Sequence, residues 1–229
     1  IGSGIIGMTI AYELLSEDSL LTIAIIDKED DVAKHASGRN SGVLHAGFYY
    51  TANSLKAKFT VDGNRLMKKF CNENNIFVKN TQKIVVAKDE KELEGIYELQ
   101  KRAEINGVDT KVIGEEEVLK IDSNIKTYKK ALFSPNTASV DPKEVCYKLR
   151  DILKEKGVDF FFNTSFEDSN LEYKYLINSA GAYADKIAQK FGLAKNYTML
   201  PFKGIYLTYM TNKTDIKTNI YPVPNLANP

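Results

Sequence analysis

The sequence is poor in cysteine, balanced in charge and free of long apolar runs, and each shortage removes a class of protein. Only Cys71 and Cys146 occur, far apart and outside any CxxC. That argues against a disulfide framework or a thiolate metal site, favours a reducing compartment, and leaves two free structural thiols as the expectation. The 31 basic residues stand against 30 acidic ones, a net charge of +1, so the basic footprint of a nucleic-acid-binding surface is missing. No apolar run approaches the ~18 residues of a membrane-spanning helix. There are no internal repeats and no low-complexity tracts. What is present is ordinary globular material: 229 residues, 43% hydrophobic and 27% charged. That suffices for a sizeable core in one large domain or two small ones. The chain opens at Ile1 without a Met and stops in a Pro/Asn-rich stretch, 221–229. The expectation is a piece of a longer protein whose targeting is unknown.

The first informative stretch is Ile1-Gly2-Ser3-Gly4-Ile5-Ile6-Gly7, a GxGxxG. A helix is predicted over 5–16, with Ile6, Ile10 and Leu14 near one face. The apolar run 21–26 reads as a strand buried on both sides, ending at Asp27. Glycine turn, helix and strand are in the order of a βαβ unit. Asp27 lies about 20 residues beyond Gly7, the spacing of an acid that accepts from a dinucleotide's ribose hydroxyls. Gly2, Gly4 and Gly7 would let the backbone approach a pyrophosphate at the helix N-terminus. A plain αβ turn with a capping acid is the structural alternative, and the pattern does not separate FAD from NAD.

Further along, helices are predicted over 54–74, 90–106, 115–119 and 141–156, and from 181 to about 191. Leu55, Phe59, Leu66 and Phe70 are spaced for one face of the first of these. Asp141-Pro142 is a helix start, a cap residue followed by Pro at the first helical position. Strands are predicted over 83–87, 110–113, around 132–133, and over 158–163, 173–178 and 204–209. An α/β start, a mixed middle and returning α/β units imply a discontinuous cofactor domain with a second domain inserted into it.

The stretch 37–47 alternates Gly with small polar residues and carries one Arg and one His. Repeated glycines suit a backbone running against a large planar ligand, and a long loop within a compact domain tends to be functional. Here a resemblance becomes specific. HASGRNSGVLHAGFYY at 35–50, SLKAK at 54–58, VDPKEV at 140–145, NSAGAYADKIA at 178–188, PFKGIY at 201–206 and NIYPVP at 219–224 resemble the FAD-dependent amino-acid oxidase superfamily. Within it the match is to the L-2-hydroxyglutarate oxidase/dehydrogenase family, in order along nearly the whole chain. One departure is Ile205, where the family pattern has an acidic residue; it bears on substrate preference.

The resemblance implies an α/β fold: a discontinuous FAD-binding Rossmann-like domain (1–78 and 138–196) and an inserted α+β substrate domain (79–137 and 197–229), without the first strand and the C-terminal part. It implies FAD as cofactor, held by Gly2, Gly4, Gly7, Asp27, Ser37, Gly38, Arg39, Asn40, Ser41, Gly42 and Gly181. The reaction implied is oxidation of a 2-hydroxy acid, L-2-hydroxyglutarate to 2-oxoglutarate, by hydride transfer to flavin N5. His45 is the expected general base, since imidazole titrates near working pH. His35 is expected to be structural or to touch the cofactor, and Asp185 to cap its helix. Lys203, Tyr206 and Tyr50 are the expected substrate contacts, with Arg39 a further cation for a carboxylate. The partners are a small 2-hydroxy acid and an electron acceptor: oxygen, a quinone or an electron-transfer protein. The expected location is cytoplasmic, with attachment at the inner face of a membrane if the acceptor is a quinone. The alternatives are an amino-acid oxidase or glycerol-3-phosphate dehydrogenase of the same superfamily, a flavin-binding protein without turnover, and an NAD-dependent dehydrogenase. Removing a central strand exposes sheet edges, so the 229-residue chain alone is expected to bind FAD poorly or aggregate.

Overall fold

The computed structural model describes residues 1–207, 210 and 216–224. In chain order the elements are α1 (Ile5–Glu17), β1 (Ala24–Ile26), β2 (Val43–Leu44), α2 (Leu55–Glu73), β3 (Lys83–Val86), α3 (Glu90–Ile105), β4 (Lys111–Gly114), α4 (Glu115–Ile121), β5 (Lys130–Ser134), β6 (Ala138–Ser139), α5 (Pro142–Glu155), β7 (Asp159–Phe161), α6 (Ala184–Lys190) and β8 (Asn219–Pro222). The chain divides into two compact units, Ile1–Ser41 with Asp141–Thr208, and Gly42–Val140 with Tyr209–Pro229. Residues 42–78 thus group with the second unit and 197–207 with the first, so the boundaries lie elsewhere than 78, 138 and 196.

The first unit is built on parallel rows. β1 pairs with β7, Ala24 opposite Asp159 and Ile26 opposite Phe161. The Gly2 N–H donates to Ile26 O at 2.9 Å, and the Ser179 N–H donates to Ile1 O at 2.9 Å. Residues 1–2 therefore run between β1 and the stretch ending at 179. The resulting order, β7, β1, residues 1–2, then 177–179, is how half of a doubly wound sheet is laid out. Helices α1 and α5 pack together. α5 starts as its sequence dictates: Asp141 Oδ1 accepts from the N–H groups of Lys143 at 2.8 Å and Glu144 at 3.4 Å, and Pro142 opens the first turn. Its buried side is Val145, Cys146, Leu149 and Leu153. α1 buries Met8, Ala11 and Leu15; Ile6 is 61% exposed and the 6/10/14 stripe faces outward. The helix is apolar on nearly every side, so periodicity alone could not choose the inward face. Residues 173–178 form no strand; Ile177 O accepts from Ile1 N at 2.7 Å, and the Asn178 amide donates to Ala184 O at 2.8 Å. Residues 204–207 are likewise without a strand; 208 and 209 lie outside the described residues.

The second unit holds a four-stranded sheet in the order β4-β5-β3-β8, antiparallel except for the parallel pair β3–β8. β3 is central and buried on both faces, as its run Ile84-Val85-Val86 requires. Val85 joins Phe48, Ile96, Leu99 and Leu132 on one side. Ile84 joins Ile113, Val118 and Ala131 on the other. β2 and β6 form a short antiparallel ladder, Val43 opposite Ser139. α2 begins at Ser54, whose Oγ accepts from the Ala57 N–H at 3.1 Å. It buries Ala57 and Cys71 rather than the larger stripe: Leu55, Phe59 and Leu66 are 69%, 64% and 52% exposed. Both cysteines are free and buried.

Candidate functional site

In the first unit the glycine turn is fixed by backbone contacts that tolerate no side chain. Gly2 has φ +100°, and a Cβ there would lie 2.5 Å from Ser179 O. A Cβ on Gly7 would lie 2.2 Å from Gly2 O. Gly4 is the N-cap of α1 and offers no side chain to it. The first-turn N–H groups of a helix have no intrahelical acceptor; of these, Ile5 N–H donates to Ser37 Oγ at 2.9 Å. Asp27 closes the turn from the end of β1. Its Oδ2 accepts from both the N–H and the hydroxyl of Ser3, each at 2.7 Å, and its Oδ1 accepts from Glu29 N–H at 3.0 Å. A carboxylate has about four acceptor positions, so Oδ1 retains one. A glycine cradle, a helix N-terminus without its own acid in the first turn and a carboxylate with a spare lone pair fit the diphosphate and ribose of a dinucleotide.

The other expected cofactor contacts divide. Ser37 touches the turn through its bond to Ile5. Gly38 is needed for internal packing, since a Cβ would fall 2.0 Å from Ala33 O. The Asn40 amide donates to Ala36 O and Ser37 O, both at 3.0 Å, and so braces the 3-10 turn over residues 36–38. Arg39 and Ser41 are exposed. Gly181 has φ +54° and open space at its Cβ position. His35 pairs with Glu29 at 2.7 Å and meets the edge of Tyr183. Asp185 does more than cap: besides Lys186 N–H at 2.8 Å it accepts from Met199 N–H at 3.0 Å, pinning the segment after α6. These backbone bonds, Met199 first, hold its carboxyl below the usual range. Lys203 and Tyr206 lie on an exposed stretch without secondary structure, as does Ile205.

In the second unit the loop after β2 carries His45 and is bolted down by side chains of two helices. The Asn64 amide donates to Leu44 O at 2.9 Å and His45 O at 3.2 Å. Asn106 donates to Gly47 O and Tyr50 O, each at 3.3 Å, and Arg102 to Tyr49 O at 3.1 Å. Gly47, at φ +101°, has no room for a Cβ beside Val61. Gly42, at φ +66°, accepts from Val140 N–H at 2.9 Å. Tyr50 is half-buried, with Lys56 Nζ 4.4 Å above its ring.

Beside His45 lies a residue that sequence reasoning missed. Lys83, the first residue of β3, is 0% exposed. Its Nζ is 3.2 Å from His45 Nδ1 and stands over the rings of Tyr221 at 4.1 Å and Tyr49 at 4.8 Å. Among the described residues no carboxylate pairs with it. Burial lowers the Lys83 ammonium to about 8. Burial, with the Lys83 charge adding to it, lowers the His45 imidazole to about 4. Burial also raises the Tyr49 phenol, whose hydroxyl has no partner among the described residues. The bend before β3 aims this lysine: Gln82 sits at φ +56°, and the Asn219 amide holds Thr81 Oγ1 at 2.7 Å and Gln82 O at 3.0 Å. The signal in the sequence was a lysine heading an otherwise apolar strand.

Parallel rows, a side-chain-free turn and an acid at the next strand end define an α/β dinucleotide-binding protein. The comparisons narrow the class. The family model described as FAD dependent oxidoreductase (DAO) matches residues 1–229, and the chain belongs to that family. It is 36% identical over 98% of its length to the mitochondrial L-2-hydroxyglutarate dehydrogenase of Caenorhabditis briggsae. It is 33% identical over 100% of its length to the L-2-hydroxyglutarate dehydrogenase of Escherichia coli K12. The chain spans 57% and 58% of those two relatives. Among solved structures it is similar to the FAD-bound L-alpha-glycerophosphate oxidase of Mycoplasma pneumoniae, TM-score 0.79 at 22% identity, covering 97% of this chain and 64% of that one. It is also similar to the glycine oxidase of Geobacillus kaustophilus, TM-score 0.74 at 19% identity, covering 84% of this chain and 57% of that one. These likenesses establish the α/β fold of FAD-dependent oxidoreductases. FAD is the cofactor of the family.

Proposed function

We propose that the complete protein oxidises a 2-hydroxy acid, L-2-hydroxyglutarate, to the 2-oxo acid. The observation that carries this reading is the end-to-end match of this chain to relatives bearing that activity in their names, 36% identical over 98% of the chain in one case. The first unit is read as the FAD-binding domain and the second as the substrate domain. Gly2, Gly4 and Gly7 with the α1 N-terminus hold the diphosphate, and Asp27 holds the ribose. Ser37, Gly38 and Asn40 shape the neighbouring loop, and Arg39, Ser41, Gly42 and Gly181 complete the cofactor contacts.

When bound, the flavin supplies a two-electron acceptor at N5. The chain's own task is the proton. His45 takes it from the substrate hydroxyl at Nε2; burial beside Lys83 keeps its imidazole neutral, but at about 4 it lies well below the working pH expected of it, so the ring alone is a weak base. Lys203, Tyr206 and Tyr50 hold the substrate's oxygens. The electron acceptor of the bound flavin would be oxygen, a quinone or an electron-transfer protein.

The experiment is anaerobic flavin absorbance of the complete protein on adding L-2-hydroxyglutarate, with the D-enantiomer, L-glutamate and glycerol 3-phosphate as controls. Bleaching by the L-hydroxy acid alone is expected. Bleaching by glycerol 3-phosphate or an amino acid instead would move the substrate to another branch of the superfamily, and no bleaching by any of them would favour a flavin-binding protein without turnover.

A further inference from the structure

A buried ammonium ordinarily keeps a carboxylate beside it, because desolvating an unpaired charge is costly. Lys83 is 0% exposed, and its one hydrogen-bonding contact among the described residues is an imidazole nitrogen, His45 Nδ1 at 3.2 Å. Among the described residues the titratable groups that face it are His45 and Tyr49 from the stretch after β2 and Tyr221 from β8. None of them carries a compensating negative charge in its ordinary state, so the amine has reason to be neutral part of the time.

The contact also constrains His45. A lysine ammonium only donates, so when Lys83 is charged it donates to Nδ1 and the imidazole proton sits on Nε2. Nε2 is then a donor and has no lone pair for a substrate hydroxyl. A neutral lysine amine has a lone pair, so it accepts from Nδ1–H and frees Nε2 as a base. The imidazole and the amine are therefore two stations of one path.

We propose that Lys83 is a positioning residue that acts through Nδ1 of His45, deciding which imidazole nitrogen carries the proton and receiving the proton that Nε2 collects. This deepens the reading of His45 as the base and rests on it. The step balances as proton transfer: the substrate O–H bond breaks and Nε2–H forms, while Nδ1–H breaks and Nζ–H forms, leaving neutral imidazole and an ammonium. The electron pair leaves the substrate with the carbon-bound hydrogen, to the oxidised flavin of the family. The braced bend at Gln82 and the Asn64 clamp on the His45 carbonyl hold the two stations in register.

The test uses the complete holoenzyme and two readouts. The first is the 15N spectrum of ring-labelled histidine in the oxidised enzyme without substrate, the His45→Gln variant serving as blank. From roughly pH 6.5 to 9.5, a range that spans a lysine titrating below its usual value, the His45 Nδ1 resonance is expected to change from acceptor to N–H character. Lys83→Met should abolish that change, and Lys83→Arg, which stays charged, should hold Nδ1 as an acceptor throughout. A wild-type spectrum constant over that range overturns the proposal without any variant, so misfolding of Lys83→Met leaves it decidable. The second readout is the pH profile of anaerobic flavin bleaching. Wild type should rise through the same titration, and Lys83→Arg should run about 100-fold slower with no rise, the scale of one lost acid–base contribution. Equal profiles for the two would also overturn it. Failure of the underlying reading looks different: His45→Gln would bleach at the wild-type rate, while the wild-type enzyme still showed the 15N change at His45.

Discussion

One oxygen of Asp27 binds two groups of Ser3 at once, the backbone N–H and the hydroxyl, both at 2.7 Å. The acid expected to serve a ribose thereby also holds the glycine turn to the end of β1.

That double role separates two substitutions. Asp27→Ala leaves the 1%-exposed Ser3 without its acceptor and is expected to lower stability by about 1–3 kcal/mol, the cost of a buried donor left unpaired. Asp27→Asn keeps one acceptor oxygen and should cost less stability. Both should weaken FAD binding about tenfold or more, since each removes a charged acceptor. Thermal unfolding of the flavin-free protein and a flavin fluorescence titration read the two effects separately. Unchanged FAD affinity in Asp27→Asn would remove the ribose assignment.

The glycines differ in what they forbid. Gly7→Ala drives a Cβ to 2.2 Å from Gly2 O, a backbone clash that should destabilise by more than about 2 kcal/mol. Gly181→Ala meets nothing within 4 Å and carries only the strain of φ +54°, about 1–2 kcal/mol. Denaturant unfolding of the two variants should rank them in that order.

Lys83 makes stability depend on pH with a definite sign. Its folded-state value, about 8, is below the unfolded one, about 10.4. Between the two the unfolded chain binds more protons, so stability should rise as pH rises through that window and be lowest below it. The full span is on the order of 3 kcal/mol. Lys83→Met should flatten the rise in urea-unfolding free energy measured across pH 7.5 to 10.5, roughly that window. An equally steep rise in the variant would place its origin elsewhere.

Arg150 and Asp31 join α5 to the stretch after β1 through Nη1 contacts of 2.7 and 2.9 Å. Burial alone would raise the Asp31 carboxyl, but the Arg150 hydrogen bonds, with Val32 N–H, outweigh it and keep the group below its usual value. A depressed carboxyl stabilises above the unfolded pKa and loses that contribution as pH falls through the folded one. Arg150→Met should therefore destabilise at neutral pH by about 1 kcal/mol and show a smaller difference from wild type once the pH falls below the usual carboxylate range. Acid unfolding curves of the pair check it.

The sequence made the local signals plain. Ser54, Asp141-Pro142 and the glycine turn are short-range devices, and the structure uses each where it was expected. What it hid was long-range. Whether α1 turns Ile6 or Met8 inward depends on α5, which lies more than a hundred residues away. The stretch 173–178 has strand composition, yet among the described residues it is joined to the sheet through Ile1 alone. Lys83 reads as a surface residue because lysines usually are; only the rings of Tyr49 and Tyr221 around its amine reveal otherwise. Tyr50 and His45 were singled out through resemblance, whereas Asn64, which holds the Leu44 and His45 carbonyls, and Asn219, which holds Thr81 and Gln82, carry no local mark at all.

The bonds from Ser179 to Ile1 and Gly2 have a consequence for the order of assembly. The glycine turn leaves the ribosome well before one of its walls, residue 179, which at the usual ~5–20 residues per second follows many seconds later. Until then the turn has no partner on that side. The turn is thus closed by a contact of very long loop length, made only once residue 179 has followed.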